Sequence, residues 1–205
     1  MNLASTKQTD EKQLSEFHSA LGIELSLLQA SASGTIYESS SRVTIYLSSL
    51  SSGLVAIGFA SSSHHALEAL GFTVLPTVFV LGLFTIVRLI DTSIANIISQ
   101  RRMERIRAYY SGLSPDGPQY FETDDSVTGT HGVRYGRLSF FFTMASMVIV
   151  VNSVLGGATI SLFCVLTGNT IGSIGVGIGV VAGLLILGLS LVYEDRRLTP
   201  IVRKL

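Results

Sequence analysis

The chain has 205 residues, of which 14% are charged and 47% hydrophobic, with a mean hydropathy of +0.51, too apolar for a soluble domain of ordinary charge content and diagnostic of an integral membrane protein. Fourteen Lys and Arg balance fourteen Asp and Glu, so no net basic field exists to attract nucleic acid, and none is expected as a partner. A single cysteine, Cys164, excludes an intrachain disulfide and a Cys-based metal site, and a buried, inert thiol is expected there.

Residues 1–42 are polar and lack the short basic start and immediate apolar core of a cleavable signal, so no processing is expected. Within them, Leu14, Phe17, Leu21, Leu25 and Leu28 recur at steps of three and four, which predicts an amphipathic helix over 13–29. Its acids, Glu16 and Glu24, favour packing on the protein's own cytoplasmic helices or on another subunit over binding anionic lipid. The Ser-, Ala- and Gly-rich stretch 30–41 either continues that helix or forms a soft joint.

Four apolar segments follow, at 43–61, 70–90, 138–166 and 171–193, each long enough to cross a hydrocarbon core of about 30 Å as a helix. The expected fold is all-α: a membrane domain over 43–193 made of two helical hairpins, a loop over 91–137, and a tail over 194–205. The second helix should extend beyond the lipid, because Ile94, Ile98, Ile106 and Tyr109 keep helical spacing until Gly112, Pro115, Asp116 and Gly117 stop it. Beyond that stop, the acids Glu122, Asp124 and Asp125 could fold back onto the basic cluster Arg101, Arg102, Arg105 and Arg107. The two halves share a hairpin plan, which would make any repeat parallel, and convergent hairpin physics explains it as well.

All fourteen Lys and Arg flank one side of these segments, while the connections 62–69 and 167–170 carry none. The positive-inside bias then places both termini and the middle loop in the cytoplasm, and the expected location is a plasma (inner) membrane. With no Trp in the chain, interfacial anchoring is expected from Tyr46, Tyr135, Tyr193 and the arginines. Arg88 and Asp91, three residues apart, are expected to pair on one helix face.

The fourth span carries Gly172, Gly175, Gly179 and Gly183, with Gly168 before them, a stripe that permits close backbone approach to a helix of this chain or of a neighbouring subunit. Asn152, the one amide deep within a span, should hydrogen-bond across helices. In the first span Ser48, Ser49, Ser51 and Ser52 precede Gly53, and two readings stand: back-bonding hydroxyls on a packed face, or a narrow wet pore lined by Ser48, Ser52 and Gly53 in an oligomer. No Asp, Glu, Lys or His lies in mid-membrane, which disfavours a proton-driven transporter. His64, His65 and Glu68 in the first outer loop are weak metal candidates, with solvated surface residues the simpler reading, and no cofactor is expected. The basic cluster reads first as an anchor on lipid and second as a phosphate-ligand site. No nucleophile–base pair or phosphate loop is present, so no enzymatic activity is expected.

Arg105-Ile-Arg-Ala-Tyr-Tyr110, Leu113-Ser-Pro115 and Tyr120-Phe121, set between two helical hairpins, resemble a group of uncharacterised bacterial four-span integral membrane proteins. That resemblance implies a membrane fold and no particular activity. The topology is similar to the Orai class of calcium channels, in which a cytoplasmic helix leads through basic residues into a pore-lining first span. Ser39-Ser-Ser-Arg42 and the small-residue first span correspond to that plan. The acidic filter residue at the outer end of the first span is absent, and Glu68 lies in the loop instead, so calcium selectivity is not implied. The expected function is an oligomeric membrane channel or pore controlled from the cytoplasm. The alternatives are a non-conducting scaffold for a cytoplasmic protein partner and a membrane-permeabilising effector.

Overall fold

A computed structural model of the chain describes residues 3–121, 144–166 and 172–203. Gly168, Tyr135, the loop acids, Arg134, Arg137, Lys204 and the first residues of the third predicted span (138–143) lie outside the described residues. The described chain is all-α, with α1 Leu3–Ala60, α2 His64–Ser111, α3 Gly117–Tyr120, α4 Met144–Leu166 and α5 Gly172–Arg203, and no strand among the described residues. Four of these helices, α1, α2, α4 and α5, are long and apolar enough to cross a membrane, so the chain is a multi-pass membrane protein.

Helices α1, α2 and α5 outrun the apolar segments that define them. In α1, 58 residues join the amphipathic stretch, the 30–41 linker and the first span without a break. Within the linker Thr35 donates to the Ala32 carbonyl at 2.7 Å, and Glu38 pairs with Arg42 one turn on at 2.9 Å, an i,i+4 ion pair that supports the helix. The turn at 61–63 is shorter than the predicted loop. Ser63 closes it, since its own N–H reaches the Ala60 carbonyl at 3.0 Å while its carbonyl accepts from Leu67 at 2.9 Å, and its hydroxyl faces the Ala66 N–H at 3.5 Å, the position of a helix cap.

Helix α2 passes through Pro76 and ends at Ser111, where Gly112 donates to the Ala108 carbonyl at 3.1 Å. The chain then turns back so closely that a Cβ on Gly117 would collide with the Ser111 carbonyl group, which only glycine avoids. Helix α5 continues past Tyr193 to Arg203, so the predicted tail is helical as far as the description extends.

The chain divides into two compact units. One joins Met1–Tyr37 with Ala95–Gly132, the other Glu38–Ile94 with Val133–Leu205. In the first, α1 and the end of α2 are held by rings. Tyr110 donates to the His18 carbonyl at 2.8 Å, His18 Nε2 and the Tyr109 hydroxyl stand 3.2 Å apart, Phe17 meets Tyr109 edge-on at 5.8 Å, and Phe121 stacks on Tyr110. Leu28 and Ala32 of the amphipathic stripe are buried, whereas Leu14 and Phe17 are about half exposed (52% and 50%), so part of the predicted packing face is uncovered in this chain.

Candidate functional site in the membrane unit

In the second unit, the most completely buried side chains include Tyr46 and Asn152, both at 0% exposure. Tyr46 of α1 donates to Asn152 Oδ1 of α4 at 3.3 Å. Gly82 of α2 makes room for them: a Cβ there would overlap Asn152 Oδ1, lie 2.5 Å from its Cγ and approach Tyr46 Cε2 to 2.9 Å. Three helices therefore converge on one polar contact. Asn152 forms the interhelical hydrogen bond expected of it, although its Nδ2 has no partner among the described residues. Tyr46 is not the interfacial anchor the sequence suggests. An aromatic ring one turn inside the first span can bury fully only if its hydroxyl is satisfied, and Asn152 satisfies it.

The other contacts follow the same small-against-large rule. Gly53 sits against Val74, Gly71 against Leu162, and Gly156 against Phe79 and Ile186; Phe72 and Phe163 pack edge-on at 5.4 Å. Helices α4 and α5 meet almost backbone to backbone: a Cβ on Gly157 would come within 2.6 Å of the Gly179 carbonyl oxygen and 3.2 Å of Gly183 Cα. Gly179 and Gly183 of the stripe thus face Gly157, Ser153 and Ser161 of α4; Gly175 is buried, and Gly172 opens on empty space. Sequence reasoning missed α4's half of this seam, although Ser153, Gly157 and Ser161 repeat every four residues as visibly as the glycines of α5.

Ser48 and Ser52 are exposed on α1, while Gly53 of the same helix is buried against Val74 of α2. Ser49 bonds back to the Ile45 carbonyl at 2.8 Å, as the packed-face reading expects of a helical serine. His64 and Glu68 share a helix face, with Nδ1 and Oε2 3.8 Å apart, and both stand at the surface beside His65. No group of three or more His, Cys, Asp or Glu able to hold a metal ion occurs among the described residues. In the first unit Arg102, Arg105 and Arg107 are exposed; Arg101 is half-buried, and its Nε has no partner among the described residues.

Where the apolar segments of α1 and α2 end, charges gather. Glu38 Oε1 receives Arg42 Nη2 at 2.9 Å, Arg42 Nε at 3.0 Å and Arg88 Nε at 3.2 Å. These hydrogen bonds, Arg42's foremost, hold the Glu38 carboxyl below its ordinary value of 4.5 against the opposing effect of desolvation. The expected Arg88–Asp91 pair does not form. Arg88 turns to Glu38, and Asp91 instead lies 3.8 Å from Arg197 of α5, because each finds a partner on a neighbouring helix. Tyr193, bonded to Arg197 Nε at 3.4 Å, and Asp91 hold that guanidinium's pKa above its usual range. Just above this set, Ser39 and Thr92 share a 2.8 Å hydrogen bond between α1 and α2. Glu38 escaped sequence reasoning because it lies in the stretch read as linker; its spacing of four from Arg42 was the available signal.

No family model, curated protein or solved structure matches this chain.

Proposed function

We propose that the protein is an oligomeric pore of a plasma (inner) membrane, with both termini and the middle loop in the cytoplasm and its opening governed from that side. One observation carries the reading: Ser48, Ser51 and Ser52 are exposed along the first span, among the apolar Leu47, Leu54 and Val55. Hydroxyls facing lipid gain little. In a ring of copies the same face lines a wet path and replaces part of an ion's hydration. Gly53 against Val74 supports this arrangement by seating α1 on α2 through a different face. The distribution of Lys and Arg supports the orientation, and α1, running unbroken from Leu3 to Ala60, offers a route for cytoplasmic control. No enzymatic activity, cofactor or nucleic acid enters this proposal.

Ion and dye flux from liposomes holding the purified chain tests it. Flux is expected, with a sharp loss in Ser48→Leu/Ser52→Leu; no flux under any ionic condition, together with a monomer in detergent, overturns it. A second reading, a scaffold that docks a cytoplasmic protein, is favoured by Ile23, Leu27, Ile36 and Tyr37, all exposed on α1 before its apolar segment. Pull-down of a defined partner by a chain that carries no flux selects the scaffold. Flux of large dyes on a cytosolic signal selects a permeabilising effector.

A further inference from the structure

At the end of the apolar segments of α1 and α2, two arginines from different helices converge on one carboxylate oxygen. Arg42 directly precedes the first apolar segment, and Arg88 falls within the last turn of the second. Both guanidinium groups touch Glu38 Oε1, so they stand side by side, and their charges exceed that of the carboxylate between them by one. Both are about half exposed, at 42% and 53%. Arg42 reaches Glu38 through Nε and Nη2, and Arg88 through Nε. Asp91, the next acid along α2, is engaged with Arg197 and does not offset the excess. A guanidinium presents its donors as a planar fork that matches phosphate oxygens, and this pair stands at the ends of two apolar segments.

We propose that Arg42 and Arg88 form a binding site for the phosphate of an anionic lipid headgroup, with Glu38 holding the two guanidinium groups in register. The site is separate from the Arg101–Arg107 cluster and does not depend on pore activity. It requires only that both arginines lie at the membrane surface, which their place at the ends of two apolar segments provides. Glu38 is both organiser and competitor, since it occupies donors that a phosphate would use.

The full chain, purified in neutral detergent, is mixed with phosphatidylglycerol or phosphatidylcholine, and lipid retained per protein is read by native mass spectrometry. Phosphatidylglycerol is expected to be retained about tenfold more tightly than phosphatidylcholine, because the choline cation of the latter neutralises its otherwise identical phosphate and repels the arginine pair. Arg42→Gln/Arg88→Gln abolishes that preference. Arg42→Lys/Arg88→Lys, which keeps both charges but loses the fork, reduces it severalfold and stands in if the glutamine pair does not fold. Glu38→Gln leaves the preference intact or raises it, an outcome that a purely structural ion pair does not give. Equal retention of the two lipids overturns the proposal, as does a preference that survives both double variants. Displacement of phosphatidylglycerol by millimolar inorganic phosphate at constant ionic strength also overturns it, by assigning the arginines to a soluble phosphate.

Discussion

Adding one methyl group at Gly82 tests whether the Tyr46–Asn152 contact organises the membrane unit. In Gly82→Ala the new carbon overlaps Asn152 Oδ1 and stands 2.9 Å from Tyr46 Cε2, and neither side chain has solvent to move into, because both are fully buried. Asn152 must swing away, which breaks its 3.3 Å bond to Tyr46, or α2 must withdraw from α1 and α4. Overpacking of this kind costs about 1–3 kcal/mol, and the lost interhelical hydrogen bond adds about 0.6 kcal/mol. Alanine's better helix propensity returns about 1 kcal/mol. Gly58→Ala isolates that last effect, because a Cβ at Gly58 meets nothing within 4 Å. Gly82→Ala should therefore be less stable than Gly58→Ala by about 1.6–3.6 kcal/mol in denaturant titrations of the chain in detergent micelles. Equal stability of the two variants would refute the convergence of three helices at this point.

Gly157→Ala should cost more than Gly82→Ala in the same titration, because its Cβ meets the Gly179 carbonyl and Gly183 Cα, backbone atoms that no rotamer change can move aside. A double-mutant cycle of Tyr46→Phe and Asn152→Ala should return a coupling of about 0.6–1 kcal/mol, as for other hydrogen bonds between membrane helices. Glu38 gives a pH dependence: its folded pKa lies below 4.5, so its contribution is complete above pH 4.5 and is lost as pH falls through the folded value. Glu38→Gln should remove that acid-side slope, measured as melting temperature against pH from 6 to 3. Tyr110→Phe deletes the donor to the His18 carbonyl, and hydrogen exchange should quicken across 14–25 and 105–111 while α4 and α5 keep wild-type rates.

The spans, the helical extension to Ser111 and the stop at Gly112–Gly117 were legible because each depends on local chemistry: apolar length, 3.6-residue spacing, and residues that break helices. Asn152 was legible for a related reason, since an amide in lipid has few uses besides a hydrogen bond to another helix. The identity of its partner was not. Tyr46 sits where an interfacial ring is ordinary, and only its position opposite Asn152, 106 residues away, turns it into a core residue. Arg88 fails in the same manner, because its neighbour Asp91 satisfies the spacing rule for an ion pair, yet Glu38 on another helix takes it. In water, surface charges three apart choose between each other and solvent; at the edge of a bilayer, an adjoining helix supplies partners at no extra desolvation. Charges and polar rings at that boundary are therefore assigned by which helices adjoin, whereas those along the spans are assigned by composition. The same distinction explains why the glycine seam was half visible. The stripe on α5 declares that something approaches closely, and the repeat of Ser153, Gly157 and Ser161 on α4 declares it equally, but only their facing each other shows that each is the other's partner. That seam is satisfied within the chain, whereas Ser48, Ser51 and Ser52 of α1 stay exposed.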